Sequence, residues 1–169
     1  MHSMVARKDF NRYMMPVYKP AGFIPSKAKG SIVWDKKNKK YIDFASGIAV
    51  SSLGHCHPEL NKALADQSKK IWHLSNLLTN EPALRLAKIF CKHTFAEKVF
   101  FSNSGAEAVE AAIKTARKYA YVNISKKKNE IVAFSDAFHG RTMMAIALNG
   151  SDRFIAVSYT HLRAHETKA

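Results

Sequence analysis

From residue 97 onward the chain keeps one rhythm: a short apolar run, a turn of small or polar residues, a helix-forming stretch, then the same again. "KVFFSNS" (98–104) reads as a strand and residues 105–121 as an alanine-rich helix. "EIVAFSDA" (130–137) reads as a second strand and "GRTMMAIALNG" (140–150) as a shorter helix closed by Gly150. Short apolar strands alternating with helices build βαβ units, and these build a parallel sheet with helices on its faces. That restricts the chain to an α/β architecture. Ligands of such sheets bind beyond the carboxyl ends of the strands, which is where the turns 102–106 and 136–142 fall.

Upstream, "SIVWDKKNKKYIDF" (31–44) reads as two strands of aromatic and β-branched residues around a polar turn containing Asn38, a hairpin. "GHCHPELNKALADQSKKIW" (54–72) carries a helix start, with Pro58 suited to the first helical position and Leu60, Ala63, Leu64, Gln67 and Ile71 along one face. A second helix opens in "TNEPALRLAKIFCKHTF" (79–95), capped by Thr79 or Asn80, with Ala83, Leu86, Ala87, Phe90 and Cys91 as its stripe. Both helices are expected to face a core.

With 169 residues, 47% of them hydrophobic and 24% charged, the chain can bury the core of one ordinary domain. No apolar run approaches the roughly 18 residues that a spanning helix needs, and "MHSMVARKDFNRYMMP" lacks the apolar middle of a secretory signal. A soluble, cytoplasmic protein is expected. Cys56 and Cys91 form no CxxC pair, so neither a disulfide framework nor a zinc ribbon is supported. The net charge of +14 would suit a small basic nucleic-acid-binding module. Its lysines, however, are spread over 35–40, 125–128 and helix faces, as solvated cations would be.

The turn after Val99, Phe100 and Phe101 is built from Ser102, Asn103, Ser104, Gly105 and Ala106, all small. At a helix N-terminus, uncovered N–H groups of Gly105 and Ala106 would favour an anion such as phosphate. Ser104 followed by Glu107 is equally an S-x-x-E capping box, which would satisfy those donors with no ligand. Spacing leaves both readings open, and neither a Walker A loop nor GxGxxG is present. In the second turn, "DAFHGRT" (136–142), Phe138 offers a flat ring or a core anchor, and Arg141 a carboxylate fork or a surface cation. Together the two turns would offer what a phosphate-bearing aromatic cofactor with an amino-acid substrate requires.

"YIDFASGIAVSSLGHCHP" (41–58), "FFSNSGAEAVEAAIKTAR" (100–117) and "FSDAFHGRTMMAIALNGSDRF" (134–154) resemble successive blocks of the class III pyridoxal-phosphate aminotransferases, in the family's order, from about Tyr13 to Phe154. The resemblance implies a fold-type I transferase, here its N-terminal part: residues 1–57 from the small domain and 58–155 opening the parallel-sheet, cofactor-binding large domain. It implies pyridoxal 5'-phosphate as cofactor, with Gly105 and Ala106 giving N–H groups to its phosphate, Ser104 a third contact and Phe138 stacked on its ring. It implies Arg141 on a substrate carboxylate and Tyr18 touching the substrate. It assigns "GHCHP" a structural role rather than a metal-binding one, and leaves "HLRAH" (161–165) without a role.

The implied reaction moves the terminal amino group of N2-acetylornithine to 2-oxoglutarate, for arginine biosynthesis, in a homodimer. Ornithine, succinylornithine and 4-aminobutyrate are alternative donors. The family's Schiff-base lysine and the aspartate at the pyridine nitrogen lie in its second half, and no lysine of this chain matches that lysine. The chain as given is therefore expected to be inactive, and the segment 156–169, "AVSYTHLRAHETKA", to be non-native.

Overall fold

A computed structural model describes residues 5–128 and 130–149, and the chain divides into two compact units, Met1–Asn80 and Glu81–Ala169.

In the first unit a short helix, α1 (Asp9–Tyr13), precedes a three-stranded antiparallel sheet of β1 (Pro25–Lys29), β2 (Ile32–Asp35) and β3 (Lys40–Ile42), in the order β1-β2-β3. The expected hairpin is β2–β3, paired from Ile32 opposite Ile42 to Trp34 opposite Lys40. Asn38 takes φ 61°, a conformation asparagine tolerates. The buried Asp35 closes the turn, its carboxylate accepting from the N–H groups of Lys37 and Lys39 at 2.8 and 3.0 Å and from the Tyr41 hydroxyl at 3.1 Å. Across the sheet Phe23 stacks on Tyr41 with ring centroids 4.0 Å apart.

After β3 the chain makes a single helical turn, α2 (Ser46–Ala49), wound left-handed: φ is 47° at Ser46, 63° at Gly47, 61° at Ile48 and 62° at Ala49. Non-glycine residues are held there at a cost of about 1–2 kcal/mol each. The opposing interaction is Asp43, whose Oδ1 accepts from the N–H groups of Ala45 and Ser46 at 3.0 and 2.9 Å while Oδ2 meets His55 Nε2 at 2.7 Å. His55 in turn exchanges both backbone hydrogen bonds with Gly30, at 2.9 and 2.8 Å. Gly54, at φ +84°, lies so close that a Cβ there would come within 3.0 Å of the Gly30 backbone. The "GHCHP" block is thus fastened to the sheet, the structural role expected of it. Helix α3 (Pro58–Ser68) follows with proline in its first turn, as expected. Ile71 falls beyond its end, and Leu60 and Leu64 are exposed rather than core-facing.

The second unit holds α4 (Glu81–His93), α5 (Gly105–Asn123) and α6 (Met143–Leu148). Helix α4 carries an Arg85–Glu81 ion pair one turn apart; of its expected stripe Ala83, Ala87 and Cys91 are half-buried, while Leu86 and Phe90 are exposed. The core lies between α5 and α6, where Ile113, Ala145 and Ile146 are the buried hydrophobic side chains among the described residues.

The expected parallel strands at 98–104 and 130–137 are not formed with each other: neither segment pairs into a ladder among the described residues. A strand exists only through its neighbours, and consecutive strands of a doubly wound sheet need not be adjacent. Phe100, Val132 and Phe134 accordingly stand 78%, 75% and 89% exposed. Helix α6 starts later than its sequence pattern suggests, because the Thr142 side chain caps it. Gly150, "HLRAH" and the 156–169 segment lie outside the described residues. No helix among the described residues is long and apolar enough to cross a membrane.

Candidate functional site

Helix α5 opens from an extended Ser104, φ −151° and ψ 162°. Its Oγ accepts from the Glu107 N–H at 3.2 Å, and the Glu107 carboxylate reaches back to accept from the Asn103 N–H at 2.6 Å. The capping box therefore forms, one residue longer on its return arm than the usual motif. It consumes the donors of Glu107 and Asn103 and leaves those of Gly105 and Ala106 with no hydrogen-bond partner among the described residues. The two readings of the turn, open in the sequence, are compatible. Nothing lies within 4 Å of where a Gly105 Cβ would sit, and its φ is not left-handed. The fold does not require glycine there, and a side chain at that position would meet no neighbour.

The second turn packs directly on the first. Gly140, buried and at φ +127°, has so little room that a Cβ would stand 2.9 Å from Ala106 Cβ, 3.2 Å from Ala106 Cα and 3.2 Å from Ala145 Cβ. Thr142 joins the two helices behind it: its hydroxyl donates to Glu110 Oε1 at 2.7 Å and accepts from the Ala145 N–H at 3.3 Å. Asn149, fully buried just past α6, reaches back to accept from the His139 N–H at 2.7 Å and to donate to the Gly140 carbonyl at 3.0 Å.

The structure thus brings together Ser104, Gly105 and Ala106 with the turn that carries Phe138 and Arg141. Phe138 is 64% exposed and Arg141 is exposed as well among the described residues. Tyr18, 62% exposed, belongs to the first unit. Sequence reasoning missed Asn149 and Thr142, whose partners lie 10 and 32 residues away. It also missed His139, whose Nε2 is buried without a partner among the described residues.

Two N–H groups at the positive end of a 19-residue helix, without a partner among the described residues, fit a phosphate dianion. In the first unit, the His55 hydrogen bond, helped by the N–H groups of Ser46 and Ala45, holds the Asp43 carboxyl below its ordinary value of 3.8.

Residues 13–168 match the family described as Aminotransferase class-III. The chain belongs to the class III aminotransferases. It is 56% identical over 151 residues to the acetylornithine/succinyldiaminopimelate aminotransferase of Buchnera aphidicola subsp. Schizaphis graminum, a match covering 89% of this chain and 37% of that protein. It is 55% identical over 153 residues to the succinylornithine transaminase/acetylornithine aminotransferase of Pseudomonas aeruginosa, covering 90% of this chain and 38% of that one. Among solved structures it resembles the taurine:2-oxoglutarate aminotransferase from Bifidobacterium kashiwanohense in complex with PLP and glutamate, at a TM-score of 0.77 and 29% identity, over 92% of this chain and 36% of that chain.

The fold is that of part of a fold-type I aminotransferase, and the chain spans under two-fifths of the length of these curated relatives. The family match runs to residue 168 and so includes most of the segment from 156 that the sequence set apart.

Proposed function

We propose that this chain forms the phosphate-anchoring and substrate-facing corner of a pyridoxal 5'-phosphate-dependent aminotransferase acting on the terminal amino group of an N-acylated ornithine, with 2-oxoglutarate as acceptor. The observation that carries this reading is the pair of N–H groups at Gly105 and Ala106, without a hydrogen-bond partner among the described residues, in a turn whose capping box is satisfied without them. Gly105 and Ala106 donate to the phosphate, and Ser104 supplies a third contact. Phe138 covers one face of the ring and excludes water from it. Arg141, with a planar fork of donors, orients the substrate by its carboxylate. Tyr18 contacts the substrate side chain. When bound, the cofactor supplies an electron sink for labile bonds at the amino-bearing carbon.

N2-acetylornithine is the proposed donor, serving arginine biosynthesis. Succinylornithine is the nearest alternative, since the relatives' names include both, with ornithine and 4-aminobutyrate further off. In this proposal residues 1–57 belong to the small domain and 58–155 open the large one, and the full-length protein works as a cytoplasmic homodimer. The 169 residues alone hold the anchoring turn but no lysine matching the family's cofactor-bearing one, so they do not turn over.

The test is titration of apo-protein with pyridoxal 5'-phosphate, in a full-length enzyme carrying these residues and in its Gly105→Val variant. Val is expected to weaken cofactor binding at least tenfold with little change in unfolding midpoint, because its side chain meets solvent in the fold but ligand in the complex. An unchanged dissociation constant would return the turn to a capping role alone.

A further inference from the structure

We propose that Asn149 is a positioning residue for the substrate- and cofactor-facing turn, setting the spacing between Phe138 and Arg141. The proposal rests on the roles given to those two residues above.

The His139 N–H belongs to the peptide that joins Phe138 to His139, and the Gly140 carbonyl belongs to the peptide that joins Gly140 to Arg141. Asn149 binds both, accepting from the first at 2.7 Å and donating to the second at 3.0 Å. One planar amide therefore clamps the peptides on which the stacking ring and the carboxylate fork are mounted. Its own N–H donates to the Ile146 carbonyl at 3.0 Å, which anchors the clamp to the end of α6. From the other side the turn is braced by Gly140 against Ala106, so it has no room to settle toward α5 if the clamp is lost.

The position demands asparagine's chemistry: one acceptor and one donor on a short side chain, fully buried. Aspartate retains the acceptor for His139 but sets a second oxygen against the Gly140 carbonyl. Leucine has similar bulk and neither function, leaving a part-buried N–H and a buried C=O unpaired. Either change is expected to let the 138–141 segment re-seek partners, displacing Arg141 before it unfolds the domain.

The experiment uses the full-length enzyme and its Asn149→Leu, Asn149→Asp, Arg141→Ala and Asn149→Leu/Arg141→Ala variants. KM for the amino donor, kcat and thermal midpoint are measured for each. Asn149→Leu is expected to raise KM roughly tenfold with kcat within about threefold of the parent, and Asn149→Asp to move KM in the same direction. The double variant is expected to show a KM no higher than Arg141→Ala alone, because both act through one contact. Parental KM in whichever Asn149 variant folds, even with a lowered midpoint, would overturn the proposal and leave Asn149 a purely structural amide. Additive KM effects in the double variant would overturn it too. Parental KM in Arg141→Ala would instead overturn the site reading, and this proposal with it.

Discussion

Replacing Gly140 by alanine adds one methyl group at the point where the two turns meet. Two costs follow from the geometry. At φ +127° an L-residue is strained, at about 1–3 kcal/mol. The new Cβ would also stand 2.9 Å from Ala106 Cβ and 3.2 Å from both Ala106 Cα and Ala145 Cβ, whereas carbon atoms pack comfortably at about 3.5–4.0 Å. Because the obstacles are backbone and short side chains on two helices, neither can swing away, and overpacking of this kind costs about 1–3 kcal/mol. The sum is about 2–6 kcal/mol. It appears as lost stability if the turn stays in place, or as lost cofactor affinity if the turn moves off α5.

Urea unfolding followed by circular dichroism, together with cofactor titration of the apo-protein, reads both channels in a full-length enzyme. Gly105→Ala is the matched control for the stability reading alone, since its methyl meets nothing within 4 Å and is expected to change stability by less than about 0.5 kcal/mol. A Gly140→Ala protein that unfolds at the parental urea concentration and binds cofactor with parental affinity would refute the packing of these turns described above.

Arg141→Lys keeps the charge but loses the fork, so KM for the amino donor is expected to rise about tenfold or more in steady-state assays while cofactor absorbance is unchanged. Asp43→Asn is expected to destabilise the protein most above pH 5. The folded carboxyl lies below its ordinary 3.8, so its contribution is fully present above that value and fades as pH falls through the lower folded one; the difference between the two proteins should shrink as pH falls below 3.8. The 169-residue chain, assayed beside a full-length enzyme with N2-acetylornithine and 2-oxoglutarate, is expected to form no glutamate, and turnover near the full-length rate would defeat that expectation.

What was legible in the sequence was local. Pro58 marks the start of α3, Asn38 the hairpin turn, and Ser104 with Glu107 the start of α5, because each signal and its partner lie within a few residues. Strand β1 escaped, since Pro25, Ser26 and Ala28 lack the β-branched and aromatic character that marked β2. The left-handed α2 could not be read, because Ser46, Ile48 and Ala49 disfavour that conformation and the restraint includes His55, 12 residues from Asp43. In the candidate site, residue types pointed to the two turns, but not to the return arm from Glu107 to Asn103 that spares the Gly105 and Ala106 donors. The apolar faces of α3 and α4 were visible as stripes, yet periodicity does not say what covers a stripe, and among the described residues Leu60, Leu64, Leu86 and Phe90 stay exposed.

The left-handed turn also constrains the order in which such a sequence can drift. Three residues other than glycine sit there at positive φ, opposed chiefly by the Asp43 carboxylate. Glycine at position 46, 48 or 49 relieves strain whatever stands at 43, so those changes are open at any time. Loss of Asp43 is tolerable only after the turn has gained glycine, and once that has happened a return to Ser46, Ile48 or Ala49 is closed until the carboxylate is restored. The same few substitutions are thus harmless in one historical order and damaging in the other.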